Sequence, residues 1–130
     1  ADARAAAPVD VPQTSAERPA SLVILGAGPA GLAAAIYAAR AGLSPIIVAP
    51  GGGGQLEGKG VDVENYPGVV GATGPSLVSL MRLQASGFNA TVVSDVAMGI
   101  DASQRPFRVR LNSSATQLHT RALVVALGAE

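Results

Sequence analysis

The stretch that most constrains this chain is Gly26-Ala27-Gly28-Pro29-Ala30-Gly31. It fits G-x-G-x-x-G and lies between an apolar run at 21–25 and an Ala-rich run at 32–40. A short apolar run closing on glycine reads as a buried parallel strand. The Ala-rich run reads as a helix that stops near Gly42. A second apolar run at 45–48 completes a strand–turn–helix–strand unit, whose crossover is expected to be right-handed. In that setting each glycine has a job. The first permits the tight turn, the second lets backbone approach a pyrophosphate, and the third lets helix and strand pack closely. The helix N-terminus adds free N–H groups and the positive end of its dipole. The pattern therefore predicts a dinucleotide site at 26–31, against the plainer reading of a strand–helix turn without a ligand. One part is missing. An acidic residue is expected roughly 20 positions on to hold the ribose hydroxyls, but the second strand ends in Ala49-Pro50, and Glu57 and Glu64 lie farther along.

The remainder organises around this unit. A glycine-rich loop runs from Gly51 to about Gly74, long enough to be functional or disordered. Pro75 suits the first turn of a second helix that ends at Gly87, with Leu77, Leu80, Met81 and Gln84 along one side. Short strands are expected at 90–93 and 96–100. At 107–111, Phe107, Val109 and Leu111 alternate with Arg108 and Arg110 in the manner of a half-buried strand, which 117–120 could pair with. A last buried run covers 122–126. Ahead of all this, residues 1–20 are rich in Ala and Pro, and Pro8, Pro12 and Pro19 forbid a continuous helix. Such a tail is expected to be extended or disordered alone, and if ordered to lie on a partner's surface.

Charge and cysteine content exclude several functions. Nine basic residues balance nine acidic ones, so no excess of positive charge points to nucleic acid. The chain has no cysteine, which removes disulfides, thiolate metal sites and dithiol redox chemistry. The lone His119 reads as a solvated or satisfied strand residue, with no metal or catalytic role. No apolar run reaches the roughly 18 to 20 residues of a membrane span, and no signal peptide is visible.

Several motifs together resemble the N-terminal FAD-binding segment of thioredoxin-reductase-like flavoproteins. The glycine motif runs into Ala34-Ala35-Ile36-Tyr37-Ala38-Ala39-Arg40-Ala41. Gly53-Gly54-Gln55-Leu56, Val63-Glu64-Asn65-Tyr66-Pro67-Gly68, Thr73-Gly74-Pro75, Arg105-Pro106-Phe107 and Ala126-Leu127-Gly128-Ala129 follow in the order and spacing of that family. The resemblance covers about 110 residues. It implies an α/β fold, a partial Rossmann-like FAD/NAD(P)-binding unit with a parallel sheet and an appended β-meander at 21–130, after the extended tail at 1–20. It also implies FAD as cofactor, held at Gly26, Ala27, Gly28, Pro29, Ala30 and Gly31, with Gly54, Gln55, Leu56 and Asn65 near the flavin or its ribityl chain.

The sequence departs from the family's pattern as well. It lacks the C-x-x-C pair, a second nucleotide motif and the returning FAD segment. It carries Glu57-Gly58-Lys59-Gly60 in place of a threonine-rich stretch and Leu127 in place of a threonine. These departures predict a non-catalytic structural or binding subunit of a larger assembly, contacting other protein subunits through the tail and the open sheet edge. The alternatives are the N-terminal fragment of an active NADPH-dependent flavoenzyme and a stand-alone dinucleotide-binding module. The processed, Ala-rich start suggests a plastid stroma or other organelle matrix, with bacterial cytoplasm as the rival setting.

Overall fold

A computed structural model describes residues 11–51, 61–113 and 116–129. The first strand, β1 (Val23–Leu25), leads through the glycine turn into α1 (Pro29–Arg40) and back to β2 (Ile46–Ala49). Two short strands, β3 (Asp62–Val63) and β4 (Ala72–Thr73), pair antiparallel ahead of α2 (Gly74–Gly87). Then come β5 (Thr91–Ser94), β6 (Ala97–Asp101), β7 (Phe107–Leu111), β8 (Gln117–Thr120) and β9 (Leu123–Val125). The parallel sheet has the order β5-β2-β1-β9, and β6-β7-β8 form an antiparallel sheet. The α/β class, the parallel sheet and the appended meander are thus as the sequence predicts.

Alternation along the parallel strands builds three layers. Ile24 of β1 and Ile47 of β2 face the helices, packing with Leu32 and Ala35 of α1 and with Leu77, Val78, Met81 and Ala85 of α2. Val23, Leu25, Ile46, Val48 and Val93 face the other way, onto Val109, Leu111 and Leu118 of the antiparallel sheet. The strands read as continuous apolar runs because both faces are covered. Truncating Ile24 or Ile47, neither of which has any exposed surface, to alanine costs roughly 2–5 kcal/mol by the usual transfer and cavity terms.

The structure differs from the sequence reading at several element ends. Helix α1 begins at Pro29, three residues before the expected start, because proline's fixed φ suits the first helical position and its missing N–H is not needed there. The buried stripe of α2 is Leu77, Val78, Met81 and Ala85. Leu80 is more than half exposed and Gln84 is exposed. At 100° per residue, Val78 and Ala85 sit with Met81 and Leu77 on the sheet side, while Leu80 falls on the flank. The start of α2 is fixed by Thr73, whose hydroxyl accepts from Ser76 N–H (3.3 Å) while the Ser76 hydroxyl accepts from Thr73 N–H (3.0 Å).

The described part of the tail lies on the chain itself. Ala20 pairs with Thr120 in a parallel bridge, the His119 N–H donates to Thr14 Oγ1 (2.8 Å), and Val11 packs against the apolar core between the two sheets. Among the described residues, no helix is long and apolar enough to cross a membrane.

Candidate functional site

The glycine turn sits at the carboxyl end of β1, which is flanked by β2 on one side and β9 on the other. Open parallel sheets bind ligands at such a point, where the strand order reverses. The turn is tied down on both sides. Gly26 N–H donates to the Val48 carbonyl (2.9 Å), and Ala126 N–H donates to the Leu25 carbonyl (2.8 Å). Ala27 points into the core against the helices.

The glycines at either end of the motif are dictated by this geometry. Gly26 has φ +111°, and a Cβ there would collide with the Ala126 carbonyl. A Cβ on Gly31 would collide with the Gly26 carbonyl, so the third glycine is what lets α1 press against the turn.

Gly28 is different. It is the N-cap of α1 with φ −78° and ψ −175°, extended backbone that any residue adopts. No side chain caps α1, its first turn holds no acidic residue, and Pro29 follows directly. The first helical bond runs from Leu32 N–H to the Gly28 carbonyl (2.9 Å). The N–H groups of Ala30 and Gly31 therefore precede any partner the helix itself can supply. A helix end that has no side-chain cap and no acidic residue in its first turn suits an anionic pyrophosphate.

Among the described residues, polar side chains around the turn are sparse. Pro50 and Gly51, which follow β2, are exposed and supply no carboxylate for a ribose. Asp95 lies next to the end of β2, its N–H bonded to the Ala49 carbonyl (3.1 Å), but its carboxylate is engaged elsewhere. It accepts from Val96 N–H (2.7 Å), Ser113 N–H (3.1 Å) and Ser113 Oγ (2.9 Å). Burial opposes the charge on Asp95, yet these bonds and a further one from the Asn112 backbone outweigh it and hold the carboxyl below its ordinary value. Exposed apolar groups, Val125 and Leu127, border the turn instead.

Of the residues the sequence singles out, Gly26, Ala27, Gly28, Pro29, Ala30 and Gly31 form this one turn. Asn65 is exposed on the segment after β3. Gly54, Gln55 and Leu56 lie outside the described residues. Sequence reasoning missed Asp95 and the Thr73–Ser76 cap. The latter has a readable signal in Thr73-Gly74-Pro75-Ser76, a hydroxyl residue three positions before another at a helix start.

The sequence model of the pyridine nucleotide-disulphide oxidoreductase family matches residues 20–130. The chain is 45% identical over 113 residues to a thioredoxin reductase of Rickettsia bellii, covering 84% of this chain and 35% of that protein. It is 40% identical over 114 residues to a glucosaminate ammonia-lyase of Pseudomonas fluorescens, covering 86% of this chain and 35% of that one. Its fold superposes on a thioredoxin reductase from Gloeobacter violaceus with a TM-score of 0.78 and 35% identity, covering 84% of this chain and 34% of that structure. The chain thus spans about a third of the length of the curated relatives it matches.

Proposed function

The chain belongs to the pyridine nucleotide-disulphide oxidoreductase family, and we propose that it is the segment of a thioredoxin-reductase-like flavoprotein that holds the pyrophosphate of FAD. The observation that carries this is the bare N-terminus of α1, set at the sheet's switch point behind a glycine with no side chain. On this reading the amides at 30 and 31 bind the pyrophosphate, and Gly26 and Gly31 keep the turn tight enough to present them. Gly54, Gln55, Leu56 and Asn65 form the second half of the site, where the amide groups of Gln55 and Asn65 orient the flavin or its ribityl chain. When bound, the flavin supplies two-electron redox chemistry; the residues of this chain bind and orient it.

The chain by itself is read as non-catalytic. It contains no cysteine, so it offers flavin electrons no dithiol of its own. An electron donor site and an acceptor come from other protein, either joined to this segment or associated with it. The identity of 40% or more to both a reductase and a lyase favours a role in cofactor holding over one in choosing the reaction.

The test is visible absorbance of the natively isolated protein, with any associated chains still attached, before and after denaturation. Stoichiometric release of FAD is the expected result. A colourless protein that also fails to quench the fluorescence of added FAD would overturn the proposal.

A further inference from the structure

The outer face of the antiparallel sheet carries side-chain nitrogens that find no hydrogen-bond partner among the described residues. Alternation along β7 and β8 buries Val109, Leu111, Leu118 and Thr120 against the core and turns Arg108, Arg110, Gln117 and His119 outward. Register sets Arg108 opposite His119 and Arg110 opposite Gln117. Arg108 Nε and His119 Nδ1 are both buried, and neither has a hydrogen-bond partner among the described residues. On the next strand Gly99 faces Arg110 and Asp101 faces Arg108. The Arg110 guanidinium lies over Gly99, where an added Cβ would stand 3.3 Å from Nη2. Asp101, whose carboxylate also accepts from Ser103 N–H (3.0 Å) and Ser103 Oγ (2.6 Å), attracts Arg108, whereas Arg110 faces a glycine and no carboxylate across the ladder. Between these strands lies an open hollow of about 750 Å³, lined by Met98, Arg110, Asn112, Gln117 and His119 among others.

Charge is concentrated here in a chain that is neutral as a whole. Residues 97–121 hold Arg105, Arg108, Arg110 and Arg121 against Asp101 alone. We propose that this face docks an extended, acidic segment of a partner protein. The spacing selects that occupant over a single small anion. Arg108 and Arg110 are alternate residues on one face of a strand, about 7 Å apart along it. Carboxylates at alternate positions of an extended peptide have the same repeat, so successive ones meet successive guanidinium groups. The exposed Met98 on β6, which lines the same hollow as Arg110, offers apolar contact to whatever lies beside those carboxylates. Nucleic acid is the poorer fit, because the donors are confined to one short face with no exposed aromatic side chain among them.

The experiment uses the full chain and a fluorescein-labelled peptide that alternates Glu with Val, followed by fluorescence anisotropy at low salt. Saturable one-to-one binding is expected. Arg108→Gln or Arg110→Gln should each weaken it by about tenfold, with unchanged circular dichroism. Arg40→Gln, which removes the same charge from α1, should leave it intact. A peptide with its glutamates in adjacent pairs should bind more weakly than the alternating one. Equal losses for Arg40→Gln and Arg110→Gln would reduce the effect to net charge and overturn the proposal. So would full displacement by inorganic phosphate, which marks a small-anion site, tighter binding of a single-stranded oligonucleotide, or no binding of the peptide at all.

Discussion

At Gly28 the demands of the ligand and of the helix point in opposite directions. An N-cap is ordinarily Ser, Thr, Asp or Asn, whose oxygen accepts from an early helical N–H. The chain knows this device, since Thr73 caps α2. It leaves α1 without such a cap, although the φ and ψ of Gly28 are ones that any residue adopts. Gly28→Asp should therefore hold or raise the melting temperature, because it adds a cap worth a few tenths of a kcal/mol over glycine and a negative charge at the positive end of the helix. The same carboxylate occupies the place of the pyrophosphate and repels it, so FAD binding should be lost. Thermal melts run beside flavin titrations check both halves. A variant that binds FAD as well as its parent would show that this helix end is not the phosphate site. Gly26 and Gly31 are less informative, since an alanine at either drives a Cβ into a backbone carbonyl and takes fold and flavin together.

Among the elements, the one the sequence conveys least is the tail. Its residues 11–20 run beside β8, the edge strand of the antiparallel sheet. His119 N–H donates to Thr14 Oγ1 (2.8 Å), Ala20 N–H donates to the His119 carbonyl (2.8 Å), and Arg121 N–H donates to the Ala20 carbonyl (2.9 Å). The groups satisfied are those an exposed edge would offer to another chain, so the tail acts as a cover for that edge. Thr14→Val should cost roughly 1 kcal/mol of stability and speed hydrogen exchange at the His119 amide. Unchanged exchange there would show that Thr14 does not cover the edge. Composition points to a tail that needs a partner's surface, whereas the surface it lies on is the chain's own, 105 residues away in sequence. No local pattern can encode that contact. The strand–turn–helix–strand unit was legible for the opposite reason: its run lengths, glycine spacing and proline all act within a few residues. In α2 the side that faces the sheet is only partly legible, because Leu80 lies three residues from Leu77 yet falls on the flank of the buried stripe and faces solvent.

For the molecule as a whole, the question is what joins the nucleotide-binding layer pair to the meander behind it. Apolar packing supplies most of the contact, and Asp95 adds a specific tie. Its backbone N–H bonds to Ala49 at the end of β2 (3.1 Å). Its carboxylate accepts from the N–H and Oγ of Ser113, 18 residues on and just past β7. That pairing was invisible in the sequence for the same reason as the tail. Asp95→Asn keeps the shape but replaces one acceptor oxygen with a donor, and should cost roughly 1–3 kcal/mol at neutral pH. The sign of its pH dependence follows from linkage. The folded carboxyl titrates below its ordinary value of 3.8, so its stabilisation is fully present above that value and is lost as pH falls through the lower, folded one. The stability gap between parent and Asp95→Asn should therefore be constant near neutrality and close as pH drops below 3.8. Urea denaturation at a series of pH values measures it. A gap that persists unchanged into acid would show that the charge of Asp95 plays no part in joining the layers, and that shape alone holds the meander against the sheet.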